Sequence, residues 1–447
     1  MAAPSRIEPR TLKGFRDWLP GQMLLRERLI DTARRVFRSY GYAPIDTPAL
    51  EYLEILLGKG GEETDKQLYR FQDAGGRWVG MRFDLTVPVA RFVAQHVNEL
   101  GLPFKRYHVA TVWRGENTAR GRYREFMQCD FDVIGTRSLA ADVEIVLVIH
   151  DLLSALGCQD HTISLNHRGV LAGLLETAGL SAQMRNVLRT LDKLGKQGRE
   201  AVAAELVDLA GTTPQQAEQI LTLAQTRGSV ADVLRTLEHA VGRSELGRTG
   251  VQALADLVSA VRAAGVPEPC LRLDPSIARG LDYYTGTVFE TFLNDLPTIG
   301  SVCSGGRYDN LAGLFTAQEL PGVGASLGLD RLMAALEELG SAASEPAPAP
   351  VLVCWFVAER LHDYLRLAAR LRQAGLGVEL YPEPRRLGQQ LKYADRRQCR
   401  VAVIVGEDEF ARGECQIKYL PDASMRSVPL TDDAGAVIAE VSRLLQG

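Results

Sequence analysis

Apolar residues recur along this chain with two different periods, and the changes of period mark out its parts. Near the start, Leu25, Leu29, Ala33, Phe37 and Tyr40 fall on one stripe of a 3.6-residue repeat. That predicts an amphipathic helix, and Gly41 is placed to end it. Two later stretches, Arg106 to Trp113 and Tyr123 to Ile134, read as strands joined by a polar loop, Arg114 to Arg122, rich in Arg, Gly and Asn. From about Asn166 to Pro267 the texture becomes almost purely helical, rich in Ala, Leu, Gln and Arg. This segment reads as a helical insertion (166–266) between two parts of a larger domain (1–165 and 267–339). Strand character resumes at Thr287 to Phe292. Gly322 to Leu332 then reads as a glycine-rich strand entering a helix that carries Arg331.

Residues 340–350 alternate Pro and Ala, the composition of an extended, semi-rigid linker. Beyond it, 351–447 has the length of a separate domain. Val351 to Val357 and Val401 to Val405 are short apolar runs, expected as buried strands, and Gly377 to Leu380 starts a further element. Leu361, Leu365, Ala368 and Leu371 predict the apolar face of a helix between them. Strand–helix–strand alternation of this kind predicts a small α/β domain with a mostly parallel core.

Bulk properties narrow the classes. The chain has 447 residues, 46% hydrophobic and 24% charged, as expected of a multidomain globular protein. No apolar run approaches a membrane span, and the first residues lack the apolar core of a signal peptide, so a cytoplasmic protein is expected. A formal charge of −4 argues against indiscriminate DNA binding but leaves room for local basic patches. Seven cysteines are scattered without a Cys-x-x-Cys pair, which argues against a disulfide framework or a zinc cluster. They read as small buried thiols, and no metal site made of protein ligands is expected.

Four constellations carry candidate chemistry. Arg114-Gly115-Glu116, with Arg120, Arg122 and Arg124 beyond it, offers guanidinium forks that match phosphate oxygens; a solvated hairpin tip is the plain alternative. Asp84 and Thr86, two residues apart in Arg82-Phe83-Asp84-Leu85-Thr86, would share one strand face suited to an ammonium group; a turn or helix cap is the alternative. Arg279-Gly280-Leu281-Asp282-Tyr283-Tyr284-Thr285-Gly286 sets two tyrosines and an arginine beside glycines, either a ligand approach or an aromatic core patch. Ser304-Gly305-Gly306-Arg307-Tyr308-Asp309 and Gly322 to Leu332 read either as a second ligand-facing pair or as tight strand packing with Arg331 in an ion pair.

In this order the constellations resemble the motifs of class II aminoacyl-tRNA synthetases in their histidyl form. Gly14-Phe15-Arg16-Asp17, the following helix and Pro48 are similar to motif 1, Arg114 through Gln128 to motif 2, and Gly322 to Leu332 to motif 3. Arg279 to Gly286 and Ser304 to Asp309 are similar to the two signatures of the histidine enzymes. The match runs from about Gly14 to about Tyr419.

The resemblance implies an α+β catalytic domain built on an antiparallel sheet flanked by helices, a helical insertion and a C-terminal α/β anticodon-binding domain. It implies a homodimeric ligase that activates L-histidine with ATP, carried with Mg²⁺, to histidyl-adenylate, and then charges the 3′ end of tRNA-His. In the family's pattern, Arg114 meets the α-phosphate, Glu116 the adenine amino edge, Arg122 also ATP, and Arg331 the adenine and outer phosphates. Arg279 is implied as a second catalytic cation beside the α-phosphate. Asp84, Thr86 and Gln128 fall where the amino group of histidine binds. Asp132, Tyr283, Tyr284 and Tyr308 fall around the imidazole. The loop Asn117-Thr118-Ala119-Arg120-Gly121 departs from the common bacterial pattern, and Asp84 stands where bacterial members commonly carry Glu. Two basic stripes, Arg185/Arg189/Lys193/Lys196 and Arg385/Lys392/Arg396, read equally as RNA contacts or as solvated faces. A non-catalytic paralogue and a different adenylate-forming ligase are the competing readings. The retained Arg114, Arg279 and Arg331, the C-terminal unit and the imidazole-reading set argue against them.

Overall fold

A computed structural model describes residues 7–57, 66–277, 283–340 and 348–446. The chain forms two compact units, residues 1–17 with 26–342, and residues 18–25 with 343–447.

The first unit is built on an eight-stranded sheet. Its strands are β1 (Ala43–Pro44), β5 (Phe104–Trp113), β6 (Glu125–Ile134), β7 (His161–His167), β8 (Leu271–Leu273), β9 (Thr287–Leu293), β10 (Cys303–Tyr308) and β11 (Gly322–Gly328). They lie in the order β1-β5-β6-β11-β10-β9-β7-β8. The six central strands pair antiparallel, as expected. The edge pairs β1–β5 and β7–β8 are parallel, so the sheet as a whole is mixed. The expected hairpin is β5–β6, which runs from Phe104↔Ile134 to Trp113↔Glu125. Three shorter strands, β2 (Leu50–Tyr52), β3 (Arg70–Gln72) and β4 (Trp78–Met81), form a separate sheet in the order β2-β4-β3.

Odd-numbered positions of β6 point to helices. The Phe131 ring packs 5.0 Å from Phe37 of the helix Pro20–Ser39, and Tyr107 of β5 lies 5.3 Å from the Phe37 ring. The stripe of Leu25, Leu29, Ala33 and Phe37 is buried as the period requires. Tyr40 falls just past the helix, half-buried, with its hydroxyl 2.6 Å from Asp151. Gly41 follows at φ +79°, a left-handed turn that costs glycine little.

The insertion is helical from Arg168–Thr177 through Glu245–Ala263. It leaves from β7 and returns through β8, and these strands pair directly, Ile163 opposite Leu271. The first basic stripe is not continuous here. The helix Met184–Leu191 exposes Arg185 and Arg189 and buries Val187 and Leu191, but the chain turns after it. Lys193 therefore falls outside the helix and pairs with Glu205.

In the second unit, β12 (Val351–Cys354), β13 (Val378–Leu380), β14 (Val401–Ile404), β15 (Glu414–Tyr419) and β16 (Met425–Pro429) form a sheet in the order β13-β12-β14-β15-β16. The three strands from β13 to β14 are parallel, and the other two add antiparallel. The helix Leu361–Gln373 buries Tyr364, Leu367, Ala368 and Leu371, whereas Leu365 is 48% exposed. One residue advances a helix by about 100°, so Leu365 turns off the stripe that its neighbours define. Arg385 precedes the helix Leu387–Arg396 rather than sharing its face, and pairs with Glu383 at 2.6 Å.

Candidate active site

Gln128, Asp130 and Asp132 alternate along β6 and therefore share one face of the sheet, opposite to the face that holds Phe131. Directly across in β5 stand Ala110, His108 and Arg106; across in β11 stand Gly328, Ser326 and Gly324. The three-strand ladder thus places a carboxamide, two carboxylates, an imidazole, a hydroxyl and a guanidinium in one layer. All of these side chains except that of half-buried Ser326 are buried.

Asp132 holds the centre. Its Oδ2 lies 2.5 Å from Nη2 of Arg106, which is fully buried, and its Oδ1 accepts the hydroxyl proton of Tyr308. The Arg106 contact is an ion pair by distance, and the other nitrogens of that guanidinium find no hydrogen-bond acceptor among the described residues. Gln128 donates through Nε2 to Ser326 Oγ at 2.7 Å. Its Oε1 and Asp130 Oδ1 are buried acceptors that find no donor among the described residues. Burial raises the pKa of Asp132 against the opposing charge of Arg106, and pushes that of Asp130 up to about 7.

Asp84 adds a third buried carboxylate. The expected strand face for Asp84 and Thr86 is not what forms. Asp84 precedes the helix Thr86–His96, and its Oδ1 accepts the backbone N–H groups of Thr86 and Val87 at 3.1 and 3.0 Å. The first turn of a helix leaves such groups without internal partners, and a carboxylate one step ahead satisfies two of them. The cap fixes Asp84 while burial raises its pKa, opposed by the charges of Arg114 and Arg106.

Three tyrosines wall the layer. Tyr283 packs edge-on against Tyr284 at 4.9 Å and Tyr308 at 6.0 Å. The Thr86 side chain is a hydrogen-bond partner of the Tyr283 hydroxyl, and Tyr284 lies within electrostatic reach of Asp132, Asp84 and Asp130. The glycines of β10 and β11 make room for these groups. A methyl group at Gly324 would overlap the Asp132 carboxylate, one at Gly322 the Tyr308 ring, and one at Gly306 would lie 2.9 Å from the Tyr284 ring. Close backbone approach therefore serves this chain's own side chains first. Alternation also splits the signature Ser304 to Asp309. Tyr308 faces the site, while Arg307 turns to the helix side and chelates Asp142.

The loop after β5 forms a second, cationic part. Arg114 Nε donates to the Phe83 carbonyl at 3.1 Å, with the guanidinium 4.3 Å over the Phe83 ring and 5.1 Å from Phe126. Such stacking aims the guanidinium without neutralising it. Glu116 and Arg122 stand 3.9 Å apart, and Arg120 pairs with Glu338 at 2.9 Å. The loop folds back on motif 3: a methyl group at Gly121 would lie 3.4 Å from Arg331 Cγ. Arg331 Nη1 in turn donates to the Ser301 carbonyl at 2.5 Å. Arg279 lies outside the described residues. Sequence reasoning missed Arg106, Asp130 and Ser326, although the alternation Gln128-Cys129-Asp130-Phe131-Asp132 in an otherwise apolar strand carried the signal for Asp130.

Among the described residues, three buried carboxylates thus face a smaller complement of buried cations, with acceptors left over. Such a layer suits a cationic ligand with several N–H donors. Beside it, the guanidinium loop suits a polyanion.

A family model described as histidyl-tRNA synthetase matches residues 14–332, and one described as anticodon binding domain matches residues 351–439. The chain is 56% identical to a histidine–tRNA ligase of Rhodopirellula baltica over 97% of this chain and 98% of that one. It is 46% identical to the histidine–tRNA ligase of Wolinella succinogenes over 94% and 95%. The crystal structure of histidyl-tRNA synthetase from Nostoc sp. PCC 7120 superposes with a TM-score of 0.87 at 38% identity, covering 98% of this chain and all of that one. Sheet, site and sequence agree, and the chain belongs to the histidyl-tRNA synthetase family.

Proposed function

We propose that the protein activates L-histidine with ATP and transfers it to the 3′ end of tRNA-His. The observation that carries this reading is the buried acceptor surplus of Gln128, Asp130 and Asp132 among the described residues, with the buried Asp84 carboxylate beside them. Histidine brings one ammonium and an imidazole with two ring nitrogens. Asp84 and the free Oε1 of Gln128 suit the ammonium. The Asp132–Tyr308 pair, with Tyr284 and Tyr283 as walls, suits the ring. Arg106, paired with Asp132 at 2.5 Å, orients its carboxylate for this purpose and opposes the effect of burial on it.

Activation joins a histidine carboxylate oxygen to the α-phosphorus of ATP and expels pyrophosphate. The protein's task is alignment and stabilisation of the charge that builds at phosphorus. Arg114, aimed by its stacking on Phe83, is assigned to the α-phosphate, Glu116 to the adenine amino edge, and Arg122 and Arg331 to the remainder of ATP. Arg279 is assigned to the opposite side of the α-phosphate. Mg²⁺ would arrive on the triphosphate. The C-terminal unit is assigned to the anticodon. A chain truncated after Leu339 is expected to lose aminoacylation efficiency while keeping part of its pyrophosphate exchange.

A two-fold homodimer is part of the proposal. The sheet β2-β4-β3 exposes Leu50, Tyr52, Phe71 and Trp78 by 44–53%, apolar surface that a second copy would cover. Light scattering at micromolar protein is expected to give twice the chain mass. A monomer mass would overturn that part. No described helix is long and apolar enough to cross a membrane, and the proposed substrates place the enzyme in the cytoplasm.

Histidine-dependent exchange of pyrophosphate into ATP tests the central reading. Asp132→Asn is expected to raise the KM for histidine strongly and that for ATP little. Exchange that does not depend on histidine would overturn the assignment.

A further inference from the structure

The insertion leaves and re-enters the catalytic sheet at one point, and three metal-ligating side chains meet there. His150 lies on the helix Leu139–Ala155, His161 opens β7, and Cys270 ends the short turn Glu268–Cys270 that leads into β8. One ligand atom from each, two ring nitrogens and Sγ, lie within 4.8 Å of one another. Among the described residues no other group of three or more His, Cys, Asp or Glu is so arranged. None of the three belongs to the histidine or ATP site described above.

The details favour a ligand set over a plain hydrogen bond. His161 Nδ1 is 2.8 Å from the Cys158 carbonyl, which can only accept, so Nδ1 carries the proton and Nε2 presents its lone pair. This is the backbone support that metal-bound histidines commonly have. That lone pair faces His150 Nδ1 at 3.1 Å. Two nitrogens, each about 2.0–2.1 Å from a tetrahedral zinc ion, lie about 3.3 Å apart, so only a small adjustment separates the observed pair from a chelating one. The site is electronegative. The Asp160 carboxylate, which accepts from Asn294 Nδ2 at 2.6 Å, lies within electrostatic reach of both Cys270 and His161. A carboxylate at that range favours a cation between the three ligands. His150 and Cys270 are both half-buried, which leaves a path of entry.

We propose that His150, His161 and Cys270 bind one Zn²⁺ ion, with the fourth position left to water or to Asp160. Binding releases one proton, from the Cys270 thiol, while the proton on His150 Nδ1 shifts to its Nε2. The ion ties the exit of the insertion to its entrance and to the helix beneath. Closing so long a loop constrains the unfolded chain and steadies the insertion on the sheet.

The test uses the full-length protein, stripped with a chelator and desalted. Competition against a chromophoric chelator is expected to show one Zn²⁺ per chain, and Co²⁺ substitution a thiolate-to-cobalt absorption band. Cys270→Ser is expected to abolish that band and, like His150→Asn, to weaken Zn²⁺ binding at least tenfold. Both variants should keep histidine-dependent exchange within a factor of about two. Zinc is expected to raise the melting temperature of the natural chain and not of the variants. Both substituted residues are half-buried, so folding should survive; the buried His161→Gln serves as a third variant. Absence of the band, or equal zinc affinity in Cys270→Ser and the natural chain, would overturn the proposal and leave His150 and His161 as a hydrogen-bonded pair.

Discussion

The chain contains two principal sheets that treat their two faces differently. In the C-terminal sheet both faces are apolar cores. Along β12, Val351 and Val353 join one cluster with Tyr364 and Leu371, while Leu352 and Cys354 join another with Ala394. Along β14, Val401 and Val403 face the first, Ala402 and Ile404 the second. In the catalytic sheet only one face of β6 is treated this way: Cys129, Phe131 and Val133 are buried beneath helices, while Gln128, Asp130 and Asp132 are buried facing the site. The C-terminal sheet thus devotes both faces to stability. The catalytic sheet holds on its second face a layer of charge that is unfavourable without a ligand. The helix-side core must hold that layer in place.

Arg106→Met would break the comparison most severely. It leaves Asp132 and Asp130 buried without their cation, which costs about 3–5 kcal/mol. Denaturant unfolding should show that loss, with exchange abolished, and Asp132→Asn in the same background should recover part of the stability but not the activity. Arg114→Ala comes next, because it acts on the reaction rather than the fold. Removing a preorganised donor of this kind costs about 10²–10³ in rate. Pre-steady-state adenylate formation should fall accordingly, with the melting temperature nearly unchanged.

Gly324→Ala sharpens the contrast at a single methyl group. It drives against the Asp132 carboxylate, and overpacking of this kind costs about 1–3 kcal/mol. Stability and the KM for histidine should suffer together, with the KM for ATP less affected. The smallest effect belongs to the other sheet. Ile417→Val, in the apolar cluster around Tyr364, should cost about 0.5–1.5 kcal/mol and leave pyrophosphate exchange unaltered. If a C-terminal core substitution changed exchange as much as stability, the division of labour between the two sheets would be wrong.

Much of this organisation is legible in local pattern. The helix stripe ending at Gly41, the hairpin β5–β6, the helical insertion and the strand–helix junction at Gly328 all follow from periods of 3.6 or 2, or from glycine at a left-handed turn. These signals need only neighbours in the chain, because side-chain direction repeats with the backbone. The motifs around Arg114, Tyr284, Tyr308 and Arg331 are local in the same sense, and their order identified the family. Where local reading failed, a competing local geometry prevailed. Asp84 caps a helix instead of lining a strand, and Leu365 lies about 100° off its expected face.

The sequence by itself determined the elements, their order and the chemistry available to them. Tertiary structure alone decided which of those groups meet. Arg106 finds Asp132 because two strands pair in one register, and a slip of β5 by one residue would have sent Arg106 to the helix side, away from Asp132. Gly324 matters because the Asp132 carboxylate crosses the neighbouring strand. No Cys-x-x-Cys spacing announces His150, His161 and Cys270, since a hundred-residue insertion separates the last from the others along the chain, and only the pairing of β7 with β8 closes that distance. Burial, register and long-range proximity are properties of the packed chain, and local period carries no information about them.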